Sequence, residues 1–327
     1  MEDFGRATRG GVGAVVIAVA LVALALAGGW VSGALYGDGV AAPGCSGCTS
    51  SVSAAEVHPT EAAASLIARP TPAGTPTPPA GLPFVSAQSI AVVETSCGAL
   101  IYGRNEHEHQ PPASLTKLMT AAVAMDQADP STMITSHVDG AQLYTDTGST
   151  IMGLKPGMQL SLLDLLYGLL LPSGNDAAIA IAEGISGTQA KFVDLMNAKA
   201  QSLALDDTHF TNPHGLNDPD LYSSAYDMAI LARYVMQNPT LRQIVATESY
   251  QPKWDGPEVW NGNRFLSEYQ GADGVKIGYT EQSAQTIVAS ATRNGRSIIA
   301  SLMKSQDRYA DSERLLDWAF AQPSPCP

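Results

Sequence analysis

The chain has 327 residues, 45% of them apolar and 15% charged, with 18 Lys and Arg against 31 Asp and Glu for a net charge of −13. That balance excludes a nucleic-acid footprint, which needs clustered positive charge to release counterions. Four cysteines in this length exclude a disulfide-stapled miniature fold, and 30 Gly with 21 Pro point to one large domain plus an unfolded stretch.

No residue from Gly10 to Gly37 is charged. As a helix that run spans about 40 Å, enough to cross a hydrocarbon core of about 30 Å. Arg6 and Arg9 precede it and Asp38 follows it, so residues 1–9 are expected to form a cytoplasmic tail and the remainder to be exported. Two readings of residues 10–37 stand: an uncleaved transmembrane anchor with an interfacial Trp30, or a signal peptide cut near Ala25-Leu26-Ala27. Residues 38–83 carry few charges and a run of Pro, Thr, Ala and Gly ending at Pro83. Such a segment buries too little surface to offset its ordering entropy and reads as a disordered linker, about 140 Å long if fully stretched. Cys45-x-x-Cys48 lies in this linker without the strand–helix context of a redox motif, so a local or intermolecular disulfide is expected there.

From Phe84 the texture becomes that of a folded domain, 84–322, followed by a short tail, 323–327. Ser89–Thr95 and Ala99–Arg104 read as a hairpin around Ser96-Cys97-Gly98. Helical periodicity predicts helices over Ala113–Gln127, Ser161–Leu171, Ala177–Glu183, Gln189–Leu203 and Ala225–Gln237. Strands return at Gln285–Thr292 and Ser297–Met303 around the turn Asn294-Gly295, and an amphipathic helix, Arg308–Phe320, closes the chain. Two strands, a helical middle, then strands and a helix predict an α+β fold. In it, both ends of the domain build one antiparallel sheet around a mostly helical insertion.

Three short motifs can carry chemistry. Pro112-Ala-Ser-Leu-Thr-Lys117 opens a helix, with Ser114 and Lys117 three apart on one face. A serine hydroxyl is a weak nucleophile until a base takes its proton, and a lysine with a depressed pKa can be that base. Ser173, in Leu171-Pro-Ser-Gly-Asn-Asp176, lies in a break between two helices, where Asn175 or Asp176 is placed to cap the second. Lys276, in Asp273-Gly-Val-Lys-Ile-Gly-Tyr-Thr280, reads as a glycine-flanked lysine at a strand start, open to close approach by a ligand.

In this order, S-x-x-K, S-x-N and K-x-G form the three-part signature of the penicillin-recognising serine enzymes. With Pro111–Thr120, Leu169–Ala178, Thr211–Leu216 and Leu315–Phe320, the chain resembles the serine D-alanyl-D-alanine carboxypeptidases, the low-molecular-weight penicillin-binding proteins, over its whole folded part. The resemblance implies a β-lactamase/transpeptidase-like fold. It implies an enzyme without cofactor or metal that removes the terminal D-alanine from peptidoglycan stem peptides through a Ser114 acyl-enzyme and is acylated by β-lactams. Lys117 is implied as the base, Ser173 as the proton relay to the leaving amine, and Asn175 as the amide that holds Lys117 and the substrate backbone. Lys276, Ile277, Gly278 and Tyr279 are implied to bind substrate, with the Ser114 and Tyr279 N–H groups as oxyanion hole. Arg308 is implied to approach the substrate carboxylate, although an arginine near Asp311 also reads as a surface ion pair. Family members often carry a further β-rich domain and a C-terminal membrane helix; neither is read here, which leaves the N-terminal segment as the expected attachment to a bacterial cell membrane.

Ile277 departs from the family's Lys-Thr-Gly. The lost hydroxyl donor to a carboxylate corresponds to about 1.5–3 kcal/mol, so a slowed carboxypeptidase, or one less dependent on a free C-terminus, is expected. The alternatives are a D,D-endopeptidase of peptidoglycan cross-links and a catalytically weak cell-wall or penicillin-binding module; a β-lactamase has less support, since no deacylating glutamate is assignable. Glu106-His-Glu-His109 lacks a matched ligand set for a metal, and His214 reads as a turn residue. Cys97 and Cys326 are candidates to pair, because the domain's two ends are expected to be neighbours.

Overall fold

The computed structural model describes residues 80–327. The apolar run 10–37, almost all of the linker, and Cys45-x-x-Cys48 lie outside the described residues. Among the described residues no helix is long and apolar enough to cross a membrane.

A five-stranded antiparallel sheet has the order β2-β1-β9-β8-β7, built from β1 (Ser89–Glu94), β2 (Leu100–Arg104), β7 (Ala272–Thr280), β8 (Ala284–Arg293) and β9 (Arg296–Ser305). The first strand of the domain therefore pairs with the last, Val92 opposite Ala300. Asn294 and Gly295 turn β8 into β9 with φ of 51° and 79°, the doubly left-handed turn that Asn-Gly favours. β1 and the middle of β8 and β9 are buried on both faces, and their alternation divides two cores. Ile90, Val92, Ile287, Ala289, Ile298 and Ala300 pack with Leu315, Leu316 and Trp318. Ala91, Val93, Val288, Ile299 and Met303 face the helical layer, as a period of two dictates.

The helical layer surrounds α1 (Thr116–Gln127), whose residues from Thr116 to Ala124 are all buried. Around it lie α2 (Gly140–Thr147), α3 (Leu162–Leu170), α4 (Asn175–Ser186), α5 (Gln189–Ser202), α6 (Ala225–Gln237) and α7 (Pro239–Val245). The short α8 (Phe265–Glu268) precedes β7, and α9 (Arg308–Ala321) covers the far side of the sheet. Two-stranded ladders join β3 (Met133–Thr135) to β4 (Gln159–Ser161) and β5 (Ser249–Tyr250) to β6 (Val259–Trp260).

Four expectations need correcting. Ala113–Leu115 is a 3-10 turn, with the α-helix beginning only at Thr116. Gly174, not Asn175 or Asp176, occupies the cap of α4. Lys276 is the fifth of nine residues in β7, not its start. Arg308 does not pair with Asp311, which is buried and accepts from Ser86 N, Ser86 Oγ, Ala87 N and Ser305 Oγ. Cys97 and Cys326 form a disulfide, with Cα atoms 5.9 Å apart.

Candidate active site

A cavity of about 690 Å³ opens where the start of α1, the α3–α4 break and β7 converge; it is lined by Ser114, Ser173, Asn175, Lys276, Ile277 and Arg308 among others. The structure thus brings the three sequence motifs together.

The wall that carries Ser114 is helical. Ala113 takes a left-handed φ of 51°, and the turn Ala113–Leu115 sets Ser114 one turn before Lys117. Lys117 is fully buried, and its Nζ donates to Ser114 Oγ at 3.0 Å and to His214 O at 2.7 Å, rather than to Asn175. Burial, and after it the positive charge of Lys276, holds the Lys117 pKa well below the ordinary lysine value; Asp176 opposes this. Burial disfavours the charged form of an amine and so favours its acting as a proton acceptor.

The loop that presents His214 O is itself built by hydrogen bonds. Asn212 Oδ1 accepts from Gly215 N at 2.7 Å, and Asn212 Nδ2 donates to Leu216 O at 3.0 Å. Thr120 Oγ1 donates to Pro213 O at 2.6 Å. Gly215 has φ +90°, and a side chain there would collide with the Ala113 carbonyl. Burial and the Lys117 charge push the His214 imidazole down to about 3, so it is neutral, and its Nδ1 accepts from Leu216 N at 3.2 Å. The functional group of this turn is a backbone carbonyl, for which a sequence has no side-chain signal.

Ser173 sits in the α3–α4 break with φ +68°. Its carbonyl accepts from Thr150 Oγ1 at 2.8 Å, and Asn175 N donates to Thr150 O at 2.9 Å. Its hydroxyl is buried and has no hydrogen-bond partner among the described residues. Asp176 is fully buried, and its carboxylate accepts from Met152 N, Gly153 N and Leu154 N, each at 2.8 Å. It thereby fastens the segment that follows the Thr147–Thr150 rim to the start of α4. Sequence reasoning assigned Asp176 only a possible cap.

The opposite wall is the sheet edge, β7. A Cβ on Gly278 would stand 2.9 Å from Ser114 N and 2.6 Å from Thr286 Oγ1. Only glycine lets the strand lie this close to the Ser114 backbone. Lys276 is buried, its Nζ donates to Ile277 O at 3.1 Å, and burial together with Arg308 lowers its pKa to about 7. Arg308 Nη1 donates to Gly278 O at 2.7 Å and its Nε to Gln285 Oε1 at 3.0 Å. Ile277 lies against Gly262, and Tyr279 is 61% exposed at the cavity mouth.

The polar loop at Glu106–His109 is used differently. His107 Nδ1 lies 2.7 Å from Asp207 Oδ2, and His109 stacks on Tyr222 at 4.1 Å. Among the described residues, no group of three or more His, Cys, Asp and Glu is arranged to hold a metal.

A family described as D-alanyl-D-alanine carboxypeptidase matches residues 75–307. The chain is 35% identical over 243 residues to the D-alanyl-D-alanine carboxypeptidase DacF of Bacillus subtilis, covering 72% of this chain and 62% of that protein. It is 36% identical over 250 residues to DacD of Escherichia coli, again covering 72% of this chain and 63% of the relative. It therefore spans less than two thirds of the length of these two relatives. DacB2 of Mycobacterium tuberculosis, 36% identical over 256 residues, is covered over 86% of its length. Among solved structures, a Streptomyces DD-transpeptidase superposes with a TM-score of 0.70 at 28% identity, over 73% of this chain and 99% of that one. A D-alanyl-D-alanine carboxypeptidase from M. tuberculosis gives 0.69 at 35% identity, over 76% of this chain and 97% of that one. With the convergence of its three motifs and these similarities, the chain belongs to the D-alanyl-D-alanine carboxypeptidase family.

Proposed function

We propose that this protein is an exported serine D-Ala-D-Ala carboxypeptidase that trims peptidoglycan stem peptides, held at the bacterial cell membrane by residues 10–37 or released by cleavage near Ala27. The observation that carries the reading is the buried Lys117 amine, with its lowered pKa, 3.0 Å from Ser114 Oγ on the wall of an open cavity.

With Lys117 neutral, the same contact runs in the opposite sense: Ser114 Oγ–H donates to Nζ and loses its proton as Oγ attacks the penultimate D-Ala carbonyl. The N–H groups of Ser114 and Tyr279 receive the developing oxyanion, each donor typically worth about 3–4 kcal/mol. The C–N bond breaks, the leaving amine takes a proton through the Ser173 hydroxyl, and D-alanine departs. Water then hydrolyses the Ser114 ester to the shortened acid and the free serine. Lys276 and Arg308 draw the substrate carboxylate into place, and Asn175 holds the substrate backbone. A β-lactam carbonyl acylates Ser114 by the same first step.

Ile277 supports a second reading. Where a hydroxyl would bind the terminal carboxylate, an aliphatic side chain faces the cavity, and a D,D-endopeptidase that cuts cross-links lacks need of that contact. D-alanine release from a D-Ala-D-Ala peptide by the full chain, lost in Ser114→Ala, is the expected result. A penicilloyl adduct at Ser114 without release moves the assignment to the endopeptidase. Neither adduct nor release from folded protein leaves a binding module.

A further inference from the structure

Ser173 keeps its place without help from its own side chain. Its hydroxyl has no hydrogen-bond partner among the described residues, and its backbone is left-handed at φ +68°, a conformation that persists only where the surroundings over-determine it. The preceding Pro172 has no N–H to offer. Two contacts from outside the α3–α4 break hold it on either side of that proline. One is Thr150 Oγ1 on the Ser173 carbonyl; the other is Gly262 N, which donates to Leu171 O at 3.1 Å. The Gly262 carbonyl also accepts from Tyr309 OH at 3.3 Å, in the residue next to Arg308. Gly262 is thus the junction between the segment that carries Ser173 and the start of α9. A glycine has no side chain to fix such a junction, and its neighbour supplies one. Asn261 N donates to Glu248 O at 2.8 Å, carrying the β5–β6 ladder one residue further. Asn261 Oδ1 accepts from Asn263 N at 2.9 Å and folds the backbone around Gly262, the local closure that asparagine makes two residues on. Asn261 Nδ2 reaches the other way, to Thr247 O at 3.0 Å and to Val245 O at 3.4 Å, where α7 ends.

We infer that Asn261 is a positioning residue for Ser173: through the turn it closes, it aims the Gly262 N–H that anchors Leu171 O, and so places the hydroxyl that hands a proton to the leaving group. The inference rests on the proposed carboxypeptidase reading and adds to it a residue outside the three motifs. Asn261 itself does not line the cavity, so it acts through Gly262 and Leu171. The chemistry gives this role a signature. An amine does not leave a tetrahedral centre as its anion, so the C–N bond breaks only as a proton reaches the nitrogen that takes its electron pair. A thiol, with a pKa of about 8.5, leaves as the thiolate, and a C–S bond breaks with no proton delivered. A displaced Ser173 therefore slows an amide and spares a thioester, whereas a general loosening of the site slows both.

The test compares two acyl donors on the full chain: a peptide ending in D-Ala-D-Ala, and its analogue with a thioester in place of the scissile amide. Asn261→Ala is expected to lower kcat/KM for the amide about tenfold to a hundredfold, and for the thioester by less than about twofold. Asn261→Asp keeps the acceptor for Asn263 N but turns a carboxylate toward the Val245 and Thr247 carbonyls, and gives the same selective loss to a smaller extent. If the alanine variant does not fold, the aspartate variant takes its place throughout. Added to Ser173→Ala, the Asn261 substitution changes the amide-to-thioester ratio no further, as expected of two residues that act as one. An equal loss on both donors, no loss on the amide, or additive losses in the double variant overturns the inference. Failure of the carboxypeptidase reading shows separately, as absence of D-alanine release by the unsubstituted chain. β-Lactam acylation of Ser114, which also breaks a C–N bond, then stands in for the amide. Absence of release and acylation together leaves no proton transfer for Asn261 to position, and overturns the inference as well.

Discussion

The two walls of the cavity differ in how they hold their charges. On the helical wall Lys117 and Asp176 are fully buried, and each is met by protein groups: Ser114 and His214 for the lysine, the amides of 152–154 for the carboxylate. On the strand wall the polar groups belong to a sheet edge, and Tyr279 and Glu281 stand open to the cavity mouth. Burial suits proton transfer, because it moves a pKa. An open edge suits recognition, because its alternate N–H and C=O groups have no strand to pair with. Lys276 belongs to both regimes: it lies on the edge strand yet is buried, and its pKa falls to about 7.

The largest expected effect tests the helical wall. Lys117→Ala should lower both D-alanine release and β-lactam acylation by about 10²- to 10⁴-fold while the protein stays folded; near-normal acylation kinetics would break the division of labour. Next, Asp176→Ala strands the three amides of 152–154. It should cost about 3 kcal/mol or more in denaturant unfolding, since a buried unpaired donor costs about 1–3 kcal/mol.

On the strand wall, Ile277→Thr restores a donor to the substrate carboxylate. It should raise kcat/KM for peptides with a free C-terminus about tenfold to a hundredfold, and leave C-terminal amides unchanged. The smallest effect is a titration. Lys276 is cationic below about pH 7 and neutral above it, so kcat/KM for a free-carboxylate peptide should decline as pH rises past that point. The same peptide amidated at its C-terminus should show no such limb, and a decline shared by both peptides would assign the titration elsewhere.

Much of the sheet and most helices were legible because alternation and helical periodicity are local. Ile90 and Val92 against Ala91 and Val93 announce two buried faces, and Asn294-Gly295 announces its turn. The helix Gly140–Thr147 escaped because three of its eight residues are Thr or Gly and one alone is buried; its best signal was Asp139, which caps it by accepting from Gln142 N at 3.0 Å. Pro239–Val245 escaped as well, although Asn238-Pro239, the cap and first residue of the helix, was its signal. In the site, the side chains of the three motifs were legible as types at a spacing. The His214 carbonyl was not, because every residue has one, and only the loop held by Asn212 and Gly215 gives it a direction. Nor was the reach of Asp176 across to residues 152–154, a contact between segments more than twenty residues apart in sequence.

The pairing of β1 with β9 has a consequence for how the domain comes into being. Val92 meets Ala300 across more than two hundred intervening residues, so a chain emerging N-terminus first from the ribosome presents the β1–β2 hairpin with one edge unfilled until β9 has followed it out. Loop-closure entropy over such a span makes this pairing late and slow compared with the local helices. The chain's vulnerable interval is therefore its own synthesis, when an apolar strand has a neighbour in its future but none yet beside it.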